Sequence, residues 1–128
     1  MALKFKSVEK AQPGVAGGGV KKNYAAIVTD GEVTIDGLVT EIEKFSALSE
    51  PDIRGVIVAI ENVIQNKLAD GKIIRLEKLG AFYPTLSSNG EEKPENVTSR
   101  SIKSVGVNYS PGTRLLAAMQ NAGFKKVQ

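Results

Sequence analysis

The chain has 128 residues, 41% hydrophobic and 24% charged, the size and composition of one globular domain; with 5% aromatic residues and no Trp, its core must be aliphatic. Zero Cys excludes disulfides, thiolate metal sites and Cys nucleophiles, and zero His removes the commonest general base and metal ligand. The net charge of +3 is modest and uneven: residues 1–33 hold five basic and three acidic side chains, 34–86 six and eight, and 87–128 six and three, so basic character lies at the two ends.

Residues 3–10, Leu-Lys-Phe-Lys-Ser-Val-Glu-Lys, alternate apolar and polar and predict a strand. The start of the chain is charged and lacks an apolar run, so no secretory signal is expected, and no stretch is long enough to span a membrane. With no cysteine, this predicts a cytoplasmic protein. Residues 23–28 form a second candidate strand, after a glycine-rich loop at 12–19. That loop is not a phosphate cradle of either usual kind. Val20 follows Gly19 where a Walker loop needs Gly-Lys-Ser/Thr, and the loop leads into a strand rather than a helix. It reads as a flexible linker.

Two amphipathic helices follow. Leu38, Val39, Ile42 and Phe45 recur at three- and four-residue steps, with Asp36 as N-cap. Ser49 caps the second helix, Pro51 stands in its first turn, and Asp70-Gly71 ends it. Its stripe of Ile53, Val56, Ile57, Ile60, Val63, Ile64 and Leu68 is wide for one chain to cover, which predicts a C₂ homodimer. Residues 72–76 predict a strand, and a further strand runs through Phe82 to Ser88, with Pro84 marking an edge or bulge. Residues 89–100 are polar, 101–107 alternate as a returning strand, and Ser110-Pro111 opens a last helix with Leu115, Leu116 and Met119 inward and Gly123 as its stop.

These residues together resemble the HU/IHF family of bacterial histone-like proteins. The pattern Leu38-Val39-x-x-Ile42, then Leu48-Ser49 opening a long helix, then Asp70-Gly71, then a strand into Leu79-Gly80-Ala81-Phe82 fits that family without a gap. Gly80 and Phe82 match its Gly-Phe-Gly-x-Phe turn, whereas Lys78 and Leu79 depart from it. Asn108-Tyr109-Ser110-Pro111-Gly112 is similar to its aromatic-x-x-Gly junction. The first 32 residues look like the glycine-rich extension of the family's longer variants.

The resemblance implies an α+β fold: an αα-hairpin and an antiparallel β-sheet with a protruding β-ribbon arm and a C-terminal helix, preceded by an extra N-terminal β-hairpin. It divides the chain into an extension, 1–32, and an HU-like DNA-binding domain, 33–128. It also implies a dimer that bends or wraps double-stranded DNA with little sequence preference, in the nucleoid. The DNA-contacting residues it points to are Lys93, Pro94, Arg100, Lys103 and Arg114, with Lys125 and Lys126 near a frayed terminus as weaker candidates.

The arm departs from the family's basic pattern. Residues 87–104 hold three acids (Glu91, Glu92, Glu95) and three bases (Lys93, Arg100, Lys103), so its net charge is zero. This keeps open an alternative, a dimeric HU-fold scaffold with little DNA affinity that serves as a protein-interaction module. No catalytic residues, metal, cofactor, membrane or small-molecule substrate are expected. Because the core-forming pattern starts near Val33, residues 1–30 are expected to be dispensable for the fold.

Overall fold

The computed structural model describes residues 1–12 and 14–127; Pro13, within the glycine-rich loop, lies outside them. Two compact units are present, Met1–Thr34 with Ala117–Gln128, and Ile35–Leu116.

In the first unit, β1 (Leu3–Lys10) and β2 (Lys22–Val28) form the expected antiparallel hairpin, in register from Lys4↔Val28 to Lys10↔Lys22. The connecting loop contains a 3₁₀ turn at Ala16–Gly18, closed by Gln12 N–H to the Gly18 carbonyl at 2.8 Å. Positive φ at residues 17, 18 and 19 explains the glycine run, since only glycine adopts three such angles in succession without steric cost. A further strand, β6 (Phe124–Lys126), pairs in parallel with β1 through Leu3↔Phe124, Lys4↔Lys125 and Phe5↔Lys126. The sheet order is therefore β2-β1-β6. Lys125 and Lys126 thus belong to a strand instead of a frayed end; three residues are too few to display a strand period.

The second unit begins with α1 (Ile35–Glu43) and α2 (Glu50–Ala69). Asp36 is not the N-cap expected of it: the helix starts at Ile35, so Asp36 lies in its first turn, where its carboxylate pairs with Arg54 of α2. Phe45 falls beyond the end of α1 and is 88% exposed. For α2 the punctuation reads as expected. Ser49 Oγ accepts from Asp52 N–H, Pro51 occupies the first turn, and Asp70 is the C-cap. The buried apolar side chains, among the described residues, are few and small: Val39 on α1, Ile53 on α2, and Ala81 on the following sheet.

That sheet is antiparallel, ordered β3-β4-β5, from β3 (Ile74–Arg75), β4 (Gly80–Ser88) and β5 (Ile102–Pro111). β3 is shorter than the 72–76 span expected, because the chain turns back at once. A 3₁₀ turn at Glu77–Leu79 follows, and Leu76 N–H reaches the Gly80 carbonyl at 2.7 Å. Gly80 has φ +112°, and a Cβ there would run into the Ser110 carbonyl oxygen, so this crossing of two backbones requires glycine.

β5 extends through Pro111, which pairs with Gly80. Ser110 and Pro111 are therefore strand residues, not the cap and first position of the last helix. That helix, α3 (Thr113–Ala122), starts later, with Leu116 N–H bonded to the Gly112 carbonyl, and Gly123 (φ +79°) ends it as expected. Leu115 is half-buried, but Leu116 and Met119 are exposed, not inward. Among the described residues no helix is long and apolar enough to cross a membrane.

Candidate nucleic-acid interface

β4 and β5 continue past the small sheet as a two-stranded ribbon, in register from Gly80↔Pro111 to Ser87↔Ser104. Its base is fixed by aromatic packing. The Phe82 and Tyr109 rings stand 5.0 Å apart, and the Tyr109 hydroxyl donates to the Leu79 carbonyl. β3 pairs only with Ala81 and Phe82, so beyond them β4 has a neighbour on one side alone. Pro84 sits in that stretch, opposite Val107, where it withholds no donor from a third strand. The register irregularity comes later, between Ser87 and Ser88. Every residue of β5 is exposed, Val105 to 79%, so this part of the ribbon is not packed into a core.

The outer end, residues 89–101, is organised by its own polar groups. Pro94–Asn96 and Ser99–Ser101 each form a 3₁₀ turn. Thr98 and Ser101 make a reciprocal capping box, and Ser101, 3% exposed, donates from Oγ to Glu91 Oε1 at 3.0 Å. Asn89 N–H closes the loop onto the Ser101 carbonyl at 2.7 Å. Ser87 and Ser104 hydroxyls meet across the strands at 2.6 Å just inside it. One of the three acids that neutralise this region is thereby engaged in holding its shape.

The five residues singled out from the sequence are all exposed. Lys93 and Pro94 open the first 3₁₀ turn, Arg100 lies in the second, and Lys103 is the second residue of β5. Three of the five thus share the outer end of the ribbon, and Lys103 lies next to it on β5. Arg114 is the second residue of α3, beyond the inner end of β5. Eight strand steps separate Lys103 from Pro111, about 26 Å at 3.3 Å per residue. Two features of the outer end went unread in the sequence. Val97 is 58% exposed beside the Pro94 turn, and Ser101 is the hydrogen-bonded hub of the loop. An isolated valine or serine in a polar stretch carries no period to mark it.

Within the same unit, Val56, Ala59, Ile60, Val63 and Ile64 of α2 line an apolar groove with Ile74 and Leu76. Val56, Ile60 and Val63 remain 48–55% exposed there.

Among the described residues, three α-helices and two small three-stranded sheets define a mixed α+β protein. The chain belongs to the HU-HIG family, described as an HU domain fused to a winged-helix, immunoglobulin-like or glycine-rich motif, which it matches over residues 1–126. This agrees with the resemblance carried by residues 38–82 and 108–112 and by the glycine-rich opening. The fold is similar to the crystal structure of a candidate bacterial DNA-binding protein from Bacteroides vulgatus, with a TM-score of 0.70 and 13% identity. That likeness covers 98% of this chain and 48% of the other, so the present chain spans about half that protein's length. No curated protein matches the sequence.

Proposed function

We propose that this protein is a non-catalytic, largely sequence-tolerant DNA-binding protein that acts as a homodimer and bends or wraps duplex DNA. The observation that carries the reading is the ribbon, which presents Lys93 and Arg100 at its exposed outer end and Lys103 next to it on β5, with Pro94 beside Lys93. A ribbon whose β5 strand is exposed along its whole length suits insertion into a groove, with cations on phosphates and an apolar wedge between base steps. Pro94, with Val97 beside it, is the wedge in this reading. Arg114 adds a phosphate contact from α3. The dimer would be built on the α2 groove, since a second copy supplies the apolar partner that Val56, Ile60 and Val63 lack. HU-HIG membership and the fold of the Bacteroides vulgatus protein support the same reading. Such a protein would reside in the bacterial cytoplasm, on the nucleoid.

With the cations of residues 87–104 balanced by acids, duplex binding is expected to be weak, on the order of 10⁻⁴ to 10⁻⁶ M at physiological salt. The test is fluorescence anisotropy against random duplex over a salt series. Reversing Arg100 and Lys103 together to Glu should lower affinity and flatten log K against log salt by roughly 0.9 per lost phosphate contact. Unchanged affinity and slope would show that the ribbon does not track phosphates, and would leave a protein-binding scaffold as the better account of the fold.

A further inference from the structure

The net positive charge of the chain does not lie on the unit that bears the ribbon. Ile35–Leu116 carries ten basic and eleven acidic side chains, net −1, whereas Met1–Thr34 with Ala117–Gln128 carries seven lysines and three acids, net +4. Strand alternation and register sort those lysines. Lys4, Lys6 and Lys10 point to one face of β1, Lys22 stands directly opposite Lys10 on β2, and Lys125 directly opposite Lys4 on β6. Five lysines therefore share one face of the β2-β1-β6 sheet, over about 20 Å along β1. Val8, Tyr24, Ala26 and Val28 lie half-buried on this same face, while Leu3, Phe5, Ala25, Ile27 and Phe124 take the other.

Little within the unit answers this charge. Asp30 pairs with Lys4 at 3.2 Å, while Glu9 alternates to the opposite face. Among the described residues Lys6, Lys10, Lys22 and Lys125 make no ion pair, and Lys10, Lys22 and Lys125 are exposed. The Lys10 ammonium lies 5.4 Å from the Tyr24 ring centroid, which holds it on this face. Lys4/Lys125 and Lys10/Lys22 are moreover like charges directly opposite across strands, an arrangement that costs a sheet stability. Asp30 answers Lys4 in the first pair, but the Lys10/Lys22 pair has no carboxylate partner among the described residues, and an external polyanion would relieve it.

We propose that the lysine face of the β2-β1-β6 sheet is a second phosphate-backbone contact surface for duplex DNA, separate from the ribbon. It rests on the DNA-binding reading and adds to it the place where most of the electrostatic affinity resides. The five lysines follow strand geometry rather than any base-reading pattern, so the contact is sequence-independent.

The experiment uses the full chain and a random duplex, titrated by anisotropy between 50 and 200 mM salt, the interval over which such contacts are strongly screened. Lys10→Gln with Lys22→Gln should flatten the log K against log salt slope by about 1.8, two contacts at roughly 0.9 each. Over that fourfold salt range the unmodified chain should then lose about 12-fold more affinity than the variant. The variant should melt at the same or a higher temperature, since a like-charge pair is gone. Lys44→Gln with Lys67→Gln removes the same charge from the other unit and should leave the slope as it was. If the unmodified chain binds and the Lys10/Lys22 variant keeps its slope, or if the control flattens it equally, the surface is overturned and the ribbon reading stands. If the unmodified chain does not bind duplex at all, the DNA-binding reading itself falls.

Discussion

Glu43 is the last residue of α1 and Glu50 the first of α2. A hydrogen bond with the Glu50 side chain holds the Glu43 carboxyl above its ordinary value, with smaller contributions from burial and from the neighbouring negative charge. A carboxyl whose folded pKa is raised binds its proton more tightly in the folded state. Its contribution to stability is therefore full at low pH and is lost as pH rises from about 4.3, the ordinary glutamate value, through the raised one. Glu43→Gln keeps a hydrogen-bonding group and removes the titration. Thermal melts across this range should show the parent losing stability with rising pH and the variant losing less; parallel curves would assign the loss to other groups. Both glutamates are visible in the sequence, but their partnership depends on how tightly the chain turns between the helices. The same holds for Asp36, whose spacing suggests a cap while the fold uses it to tie α1 to Arg54. Such a surface ion pair contributes about 0–1 kcal/mol, too little to leave a pattern in sequence.

Elements with their own punctuation were legible. Ser49, Pro51 and Asp70-Gly71 bound α2 where helix-end chemistry places them, and strict alternation marked β1. Elements decided by a partner elsewhere were not. β6 exists because β1 offers it an edge, and β5 takes Ser110 and Pro111 from α3 because Gly80 lets two backbones cross. Periodicity also fails to say what covers a stripe. The Ile53-to-Leu68 face of α2 has the pattern of a core helix, yet only Ile53 is buried. Ile60 is 48% exposed within the groove that we assign to a second copy. Ile60→Asp should therefore act chiefly on association, because an unpaired charge would be buried only in the dimer, at roughly 3–5 kcal/mol. Size-exclusion chromatography with light scattering at micromolar concentration should find the parent dimeric and the variant monomeric. A monomeric parent would remove the dimer, and a dimeric variant would move the interface away from Ile60.

For the molecule as a whole, the two ends of the chain depend on each other. From the sequence alone the opening strands read as a dispensable addition, since the apolar pattern of the helices starts only near Val33. β1 is nevertheless the middle strand of its sheet, with β2 on one side and β6 on the other, and supplies β6 with its pairing partner. Leu3 N–H reaches the Gly123 carbonyl, and Val127 N–H the Phe5 carbonyl, both at 2.9 Å, so the hold on the C-terminal strand extends to its flanks. Deleting residues 1–30 should leave the Ile35–Leu116 unit folded, with its helical circular dichroism retained, because Val39, Ile53 and Ala81 all lie within it. The same deletion should release residues 124–127, whose backbone groups then have only water as partner. Limited digestion with a lysine-specific protease, followed by mass spectrometry, separates the two effects. Cleavage after Lys125 and Lys126 should be slow in the full chain and fast in the truncated one, while Lys67, within α2, stays protected in both. Equal cleavage at the C-terminus would show that β6 does not need β1, and loss of protection at Lys67 would make the opening strands part of the fold that carries the ribbon.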